Sequence, residues 1–341
     1  MATHLAAVAV GKGQLFEVKE RQTPKPGPDE LLLDVKSVAL NPIDSFSRSF
    51  GFAITEYPAV VGSDIGGLVL ETGTNVTGFQ PGTRVTAFAP AYFVKGAPDY
   101  GALQQRVIVP ATNVAPIPQD MSFSEAAKFP MAVATTWGGL ETISIPRNTS
   151  YLPSDKRGIL VWGASSSVGS MVVQSTKSMG FTVYATSSLK HHGYIKSLGA
   201  SRVFDYQDPD IKNTITQAAK EDGLTFQYGY FATDSLQSCQ NILKALKGSE
   251  MVHLASAPNL KPDAPTVEGI ETKFVAASPD DKKCAEQFSF WFNHWLKEKL
   301  ENREIVSSPK TQVHAGGLDG VNKGLDILKE GVSCTKLVLE I

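Results

Sequence analysis

The spacing of hydrophobic and polar positions changes near residue 131 and divides the chain into two parts. Before it, apolar runs such as ELLLDVKSVAL (30–40) and GGLVLETG (66–73) are separated by turn-forming stretches such as TGFQPGTRV (77–85), and helical spacing is nearly absent. Short apolar runs bounded by Gly and Pro are typical of strands. The first 130 residues are therefore expected to form a β-rich domain.

From residue 131 onward, apolar runs alternate with amphipathic helical patterns. Strands are predicted at GILVWGA (158–164), FTVYAT (181–186), SRVFDY (201–206), YGYFAT (228–233) and EMVHLAS (250–256), with helices between them. Gly180, Gly199 and Gly248 fall where helices should end. Such alternation predicts βαβ units and an open parallel sheet, and hence an α/β fold.

A long amphipathic helix is predicted after residue 280, over AEQFSFWFNHWLKEKLENRE (285–304). Phe288, Trp291, Phe292 and Trp295 share one face of it, and such a stripe is expected to face a core rather than a cofactor. The chain then closes with another helix and a terminal strand, TKLVLEI (335–341).

Composition adds few constraints. The chain has 341 residues, enough for two domains, and its net charge of -2 gives no reason to expect nucleic acid or an anionic membrane as a partner. Its three cysteines, Cys239, Cys284 and Cys334, have neither disulfide-framework nor metal-ligand spacing. No signal peptide or membrane span is recognisable, so a cytoplasmic location is expected.

The stretch ILVWGASSSVGSMVV (159–173) predicts a strand that enters a helix through a turn of small residues. Against the dinucleotide fingerprint G-x-G-x-x-G it offers Ala164, Ser166 and Gly169, so only the third glycine is kept. Free N–H groups and serine hydroxyls at a helix start nevertheless suit a phosphate. The alternative is a serine-capped helix without a ligand.

The end of the next strand bears on the choice of dinucleotide. NAD enzymes usually carry an acid there for the ribose 2′-hydroxyl, whereas this chain has Ser187, Ser188 and Lys190 and no carboxylate. Two hydroxyls and an ammonium suit a 2′-phosphate, which favours NADPH. The alternative for Lys190 is a solvated surface lysine.

Five motifs together resemble the medium-chain dehydrogenase/reductase superfamily. They are NPIDSF (41–46), YPAVVGSDIGGLV (57–69), VTGFQPGTRV (76–85), WGASSSVG (162–169) and SLGASRVFDY (197–206). Within the superfamily, the chain resembles the quinone oxidoreductase-like branch and is similar to fungal trans-acting enoyl reductases of polyketide pathways. The resemblance implies a GroES-like β-barrel domain (1–130 and 279–341), an inserted Rossmann domain (131–278) and a cofactor cleft between them.

The resemblance also bears on zinc. The positions that hold the catalytic metal in zinc-dependent relatives match Asn41, Ser63 and the neighbourhood of Met131, and residues 90–110 lack the cysteines of a structural-zinc loop. An amide, a hydroxyl and a thioether do not make a tetrahedral zinc site. The expectation is therefore no zinc, and an acceptor that is already electron-poor: a C=C bond conjugated to a carbonyl, or a quinone.

The resemblance implies roles for individual residues. Cofactor contacts are expected from Asn41, Pro42, Ile43, Asp44, Thr135, Ser165, Ser166, Ser167, Val168, Ser187, Ser188, Lys190, Tyr206, His253, Leu254, Ala255, Val332 and Ser333. A substrate pocket is expected from Met131, Ala134, Lys273, Phe274, Val275, Ala276 and Ala277. Tyr57, Asn41 and Thr135 are the catalytic candidates, Tyr57 as a proton donor; water is the alternative proton source.

The expected function is NADPH-dependent enoyl reduction by hydride transfer to the β-carbon, in secondary metabolism. The expected substrate is a small-molecule or carrier-bound enone or enoyl compound, with a polyketide synthase as the expected protein partner. Two alternatives stay open: an NADPH:quinone oxidoreductase, and an NADPH-binding protein without catalysis. The chain is expected to be a monomer or a homodimer, the latter paired through TKFVAA (272–277).

Overall fold

A computed structural model describes residues 2–341, which divide into two compact units: residues 2–131 with Pro279–Ile341, and Ala132–Ser278. The strands are β1 (Thr3–Val8), β2 (Glu17–Gln22), β3 (Glu30–Ala39), β4 (Asp64–Thr72), β5 (Arg84–Phe88), β6 (Arg106–Pro110), β7 (Val114–Pro116), β8 (Arg157–Trp162), β9 (Thr182–Ser187), β10 (Arg202–Asp205), β11 (Thr225–Phe231), β12 (Val252–Ser256), β13 (Ile270–Phe274), β14 (Lys310–His314) and β15 (Thr335–Glu340). The helices are α1 (Pro42–Phe50), α2 (Phe123–Ala126), α3 (Pro130–Thr142), α4 (Ser167–Ser178), α5 (His192–Ser197), α6 (Ile211–Asp222), α7 (Leu236–Leu246), α8 (Asp281–Ser289), α9 (Lys297–Glu301) and α10 (Val321–Glu330).

The first unit is rich in strands, as its sequence predicts. A sheet in the order β14-β15-β3-β4-β5-β7, with β6 also paired to β3, carries its core, and β1 and β2 form a separate antiparallel pair. Strand β3 lies in the interior of this sheet, and its Leu31, Leu33 and Val35 are all buried. The terminal strand β15 pairs with β3, so the two ends of the chain share one sheet.

Helix α1 departs from the expected scarcity of helices in the first 130 residues. Pro42 occupies its first turn and Gly51 ends it in the left-handed conformation (φ 66°). Its buried face is polar, including Asp44 and Arg48, whereas Phe46 is exposed. A search for apolar residues at helical spacing on a buried face misses such a helix.

The second unit is a parallel sheet in the order β10-β9-β8-β11-β12-β13. Counted within the unit, this is 3-2-1-4-5-6, the doubly wound order of dinucleotide-binding domains. The α/β prediction is confirmed. Helix α4 begins at Ser167, as predicted, and Gly180 and Gly199 follow helices with φ of 84° and 114°.

The long helix predicted after residue 280 is interrupted. A π-helix, Phe290–Leu296, joins α8 to α9. It contains Asn293, whose amide donates to the carbonyls of Ala111 (3.0 Å) and Val114 (2.8 Å). The predicted core stripe is confirmed, since Phe288, Trp291, Phe292 and Trp295 are all buried. Of the helices in residues 2–341, none has the length and apolarity that crossing a membrane requires.

Candidate functional site

The turn after β8 connects that strand to helix α4 through small residues. Gly163 follows the strand with φ of 81°, a conformation that favours glycine. Its N–H donates to Thr186 Oγ1 (3.0 Å), and the next N–H, of Ala164, donates to the Thr186 carbonyl (2.9 Å). These bonds connect the turn to the end of β9.

Helix α4 packs against this turn through its one fingerprint glycine. A Cβ at Gly169 would lie 2.3 Å from the carbonyl oxygen of Gly163, so no side chain fits. Ser166 caps the helix, since its Oγ accepts from the N–H of Gly169 (3.0 Å) and donates to the Gly163 carbonyl (2.8 Å). The serine that replaces the second glycine is thus a capping residue.

The turn also has groups that suit a pyrophosphate. The first N–H groups of α4 have no acceptor within the helix, and the hydroxyl of Ser167 is buried without a hydrogen-bond partner in the described chain. Such donors at a helix N-terminus match an anionic ligand. The residues therefore fit a dinucleotide phosphate.

The polar residues after β9 lie beside one another. Ser187 is buried, while Ser188 Oγ is 3.4 Å from the hydroxyl of Tyr206, which follows β10. Lys190 is exposed and makes no ion pair within residues 2–341. The structure thus brings Ser188 and Tyr206 together. The side chain of Lys190, two residues after Ser188, is exposed to solvent.

The register of β12 places His253 away from the phosphate turn. His253 pairs with Tyr228 of β11, whereas Ser256, at the carboxyl end of β12, pairs with Phe231. At about 3.3 Å per residue, His253 is about 10 Å from that end. Its Nδ1 contacts Glu271 (2.7 Å), which also pairs with Lys273 (3.1 Å). The structure does not bring His253 together with the turn.

The remaining residues predicted to contact cofactor or substrate lie in different parts of the chain. Leu254 and Ala255 are buried within β12. Phe274 ends the edge strand β13 and is exposed, and residues 275–277 follow it as a loop. Val332 and Ser333 belong to the first unit, in the turn between α10 and β15.

A buried ionic cluster in the first unit surrounds Asn41. Lys336 of β15 donates to Asn41 Oδ1 (2.5 Å) and pairs with Asp64 Oδ2 (3.0 Å), and Asn41 Nδ2 donates to the same carboxylate oxygen (2.8 Å). Asp64 is fully buried and Lys336 is 5% exposed. Both ends of the Asn41 amide are therefore engaged. The arrangement makes Asn41 a fixed structural element and leaves its amide no uncommitted acceptor.

Asp44 adds a second buried carboxylate to the cluster. It accepts hydrogen bonds from the N–H of Asn41 (2.7 Å) and the hydroxyl of Tyr92. Burial raises the pKa of Asp44 to about 6, although these two donors oppose the rise. Burial and the neighbouring Asp44 together raise the pKa of Tyr92 well above its usual value.

Helix α3 begins at this cluster. The N–H of Met131 donates to Asp64 Oδ1 (2.5 Å), so one carboxylate both pairs with Lys336 and caps α3. Ala134 and Thr135 follow on the same helix, and Thr135 accepts a hydrogen bond at its carbonyl from Tyr230 (2.6 Å). Lys336 was not predicted from the sequence as a site residue, because a lysine in a terminal strand ordinarily faces solvent.

Lys128 is a second buried lysine near the start of α3. It is 3% exposed and its ammonium donates to the carbonyl of Pro309 (2.7 Å), with no carboxylate within ion-pair distance in residues 2–341. Burial lowers the pKa of the ammonium from 10.5 to about 8.

Lys128→Met is expected to stabilise the protein by about 1–3 kcal/mol at pH 7, because methionine removes a buried charge. Since the native pKa is lowered, the unfolded state binds more protons between about pH 8 and 10.5, so wild-type stability rises over that range. The advantage of the variant is therefore expected to shrink from pH 7 to pH 9.5 in urea unfolding. A pH-independent difference would contradict the lowered pKa.

Tyr57 lies beside the end of α1. It is 38% exposed, and a Cβ at Gly51 would be 2.8 Å from its hydroxyl oxygen. Phe46, Phe50 and Phe52 are at least half exposed on the same segment. This aromatic patch (Phe46, Phe50, Phe52 and Tyr57) was not anticipated from sequence, because its residues were assigned to no helix.

Nowhere in residues 2–341 do three His, Cys, Asp or Glu side chains form a group that could hold a metal ion. At the matched zinc positions, Asn41 is bound by Lys336 and Asp64, and the hydroxyl of Ser63 is buried without a partner in the described residues.

Comparison with known proteins identifies relatives along the whole chain. Residues 27–119 match the alcohol dehydrogenase GroES-like domain, in agreement with the predicted N-terminal domain type. The chain is 42% identical over 341 residues to the trans-enoyl reductase tndF of Aspergillus flavipes, covering 99% of each chain. It is 44% identical over 285 residues to the trans-enoyl reductase tazE of Aspergillus terreus, covering 82% of this chain and 94% of that protein. The quinone oxidoreductase of Coxiella burnetii has a similar fold, with a TM-score of 0.73, 20% identity and full coverage of both chains.

Proposed function

Because the chain belongs to the medium-chain dehydrogenase/reductase superfamily, close to fungal trans-enoyl reductases, we propose that it is an NADPH-dependent, zinc-independent enoyl reductase acting in trans in a polyketide pathway. The observation that carries the proposal is the cluster at the matched zinc positions. There an amide, Asn41, is held between Lys336 and Asp64. This donor set suits an acceptor that needs no Lewis acid, such as a C=C bond conjugated to a thioester carbonyl.

The cofactor contacts proposed for the second unit follow from the turn. The N-terminus of α4 with Ser165, Ser167 and Val168 would bind the pyrophosphate, with Ser166 holding the helix start in place. The 2′-phosphate end would be bound by Ser187, Ser188, Lys190 and Tyr206. Reduced nicotinamide, when bound, supplies the hydride that reduces the β-carbon of the substrate.

In the first unit, Asn41 to Asp44 would contact the nicotinamide ribose at the start of α1 through backbone groups and through the side chains of Pro42 and Ile43, which are not buried. The aromatic patch supports an apolar substrate, since exposed apolar surface of this kind often marks a ligand or partner site. A polyketide acyl chain has that apolar character. His253 has no part in the proposal, given its place in β12.

A proton must reach the α-carbon after the β-carbon has accepted hydride. Tyr57 remains the proposed donor, because its side chain is 38% exposed and belongs to the aromatic patch. Thr135 would contribute a hydroxyl near the developing enolate oxygen, where hydrogen-bond donors stabilise charge. Replacement of Tyr57 by Phe would leave water as the proton source.

The reaction can be tested with NADPH deuterated at C4, supplied with an α,β-unsaturated acyl thioester and, separately, with a quinone. Mass spectrometry of the products is expected to locate deuterium at the thioester β-carbon. Turnover of the quinone alone would instead support a quinone oxidoreductase. Tight NADPH binding without transfer to either acceptor would favour a binding role.

The cofactor preference predicts the effect of Lys190→Ala. Loss of the ammonium is expected to weaken NADPH binding about tenfold while leaving NADH binding unchanged, because only NADPH carries the 2′-phosphate. Fluorescence titration of both nucleotides measures the two affinities. Lys196→Ala is the control, since Lys196 is also exposed and lies on the helix that follows, α5. Equal losses for NADPH and NADH would contradict the assignment of Lys190.

A further inference from the structure

A cavity of about 380 Å³ lies in the first unit, within the sheet region covered by α2. Its lining includes Arg84 from the start of β5, Phe123 and Ser124 from α2, Lys36 and Ser37 from β3, and Glu340 from the end of β15. None of these residues has a role in the proposed reduction. Along β3, Ser37 stands four residues before Asn41, or about 13 Å of extended chain.

Arg84 is the unusual group in this cavity. Its guanidinium carbon lies 4.1 Å from the centre of the Phe123 ring, and one of its terminal nitrogens donates to the carbonyl of Met121. Its Nε is buried and has no acceptor, and no carboxylate of residues 2–341 pairs with it. A guanidinium has five N–H donors, so most of its capacity is unused. A partly buried cation in this condition favours an anionic ligand.

The neighbouring charges indicate what kind of anion would be accepted. Lys36 pairs with Asp34 (2.9 Å), a carboxylate that also pairs with Arg106. Glu340 accepts a hydrogen bond from Ser124 (2.9 Å), and Ser124 in turn lies 3.1 Å from the hydroxyl of Ser37. Arg84 is therefore the cation of the cavity that has no ion-pair partner in residues 2–341, and Glu340 would repel a second negative charge.

We propose that this cavity binds a small organic carboxylate. The planar carboxylate would match the guanidinium fork of Arg84, and Phe123 would contact the apolar body of the ligand. A phosphate dianion fits less well, because its second charge would lie near Glu340 without a partner. The site is independent of the proposed enoyl reduction and is tested without measuring activity.

The test is isothermal titration calorimetry of the full chain with benzoate, with benzamide as its uncharged counterpart and with inorganic phosphate. Saturable benzoate binding is expected, with benzamide and phosphate both weaker. Arg84→Gln is expected to weaken benzoate binding at least about tenfold. Arg303→Gln is the matched control, because Arg303 is an exposed arginine of the same unit paired with Asp120, and benzoate binding should be unchanged.

A second variant covers the case in which Arg84→Gln fails to fold. Glu340→Gln removes the repelling charge and is expected to tighten benzoate binding. Unchanged or weaker binding in Glu340→Gln would overturn the proposal. So would absence of saturable benzoate binding, equal binding of benzamide, or an Arg84→Gln protein that folds and binds benzoate like the wild type. Preferential binding of phosphate would overturn the carboxylate assignment.

Discussion

Replacing Lys336 with methionine is expected to destabilise the protein by about 3–5 kcal/mol, because it leaves a buried carboxylate without its ion-pair partner. Asp64 is fully buried, and its Oδ2 lies 3.0 Å from the Lys336 ammonium. The same substitution removes the donor to Asn41 Oδ1. Urea unfolding followed by circular dichroism measures the loss.

The double variant Lys336→Met/Asp64→Asn separates the ion pair from the packing around it. Because neither charge remains, it is expected to be more stable than Lys336→Met alone, although its asparagine still has to accept from Met131. Lys19→Met is the control, since Lys19 and its partner Glu17 are both exposed and such a pair contributes about 0–1 kcal/mol. Equal losses in Lys336→Met and Lys19→Met would show that burial of the pair is unimportant.

Gly169→Ala is expected to weaken NADPH binding by about 10- to 100-fold, which corresponds to about 1–3 kcal/mol of overpacking. The added Cβ would meet the Gly163 carbonyl oxygen at 2.3 Å and the Ala164 Cα at 2.8 Å. Both are backbone atoms of the turn itself, so relief requires the start of α4 to move away from the turn. Fluorescence titration with NADPH measures the affinity.

Gly193→Ala is the matched control for that variant. Gly193 is a helical glycine with open space around it, since no heavy atom lies within 4 Å of a Cβ placed there. The substitution is expected to leave NADPH affinity unchanged and to stabilise α5 slightly, because alanine has the higher helix propensity. If Gly169→Ala binds NADPH as the wild type does, the close packing of α4 has no bearing on the nucleotide.

The doubly wound unit could be predicted because its signals are local. An apolar run, a glycine and a helix start follow one another at Trp162, Gly163 and Ser167, and each element forms where its own residues favour it. The role of Gly169 could also be predicted from local sequence, because the backbone of Gly163 that it packs against is only six residues away. The capping role of Ser166 was harder to predict, since a serine in this turn can either accept a hydrogen bond from the backbone or contact a phosphate.

Helix α1 shows where that reasoning fails. Asn41 before Pro42, and Gly51 at the end, are helix boundary signals that could have revealed it. The apolar residues do not mark the buried face of this helix, because Phe46 and Phe50 face solvent while Asp44 and Arg48 are buried. Arg48 is buried because it pairs with Asp326 of α10 and donates to Asn322, partners more than 270 residues away.

By itself, the sequence determined the α/β architecture, the turn after β8 and the absence of an acid after β9, since these depend on residue type and short-range spacing. Only the tertiary structure decided that Lys336 binds Asn41 and Asp64, and that His253 lies away from the phosphate turn. The reason is physical. Burial and strand register arise when distant segments pack together, and a buried charge takes its partner from whichever segment that packing brings within reach.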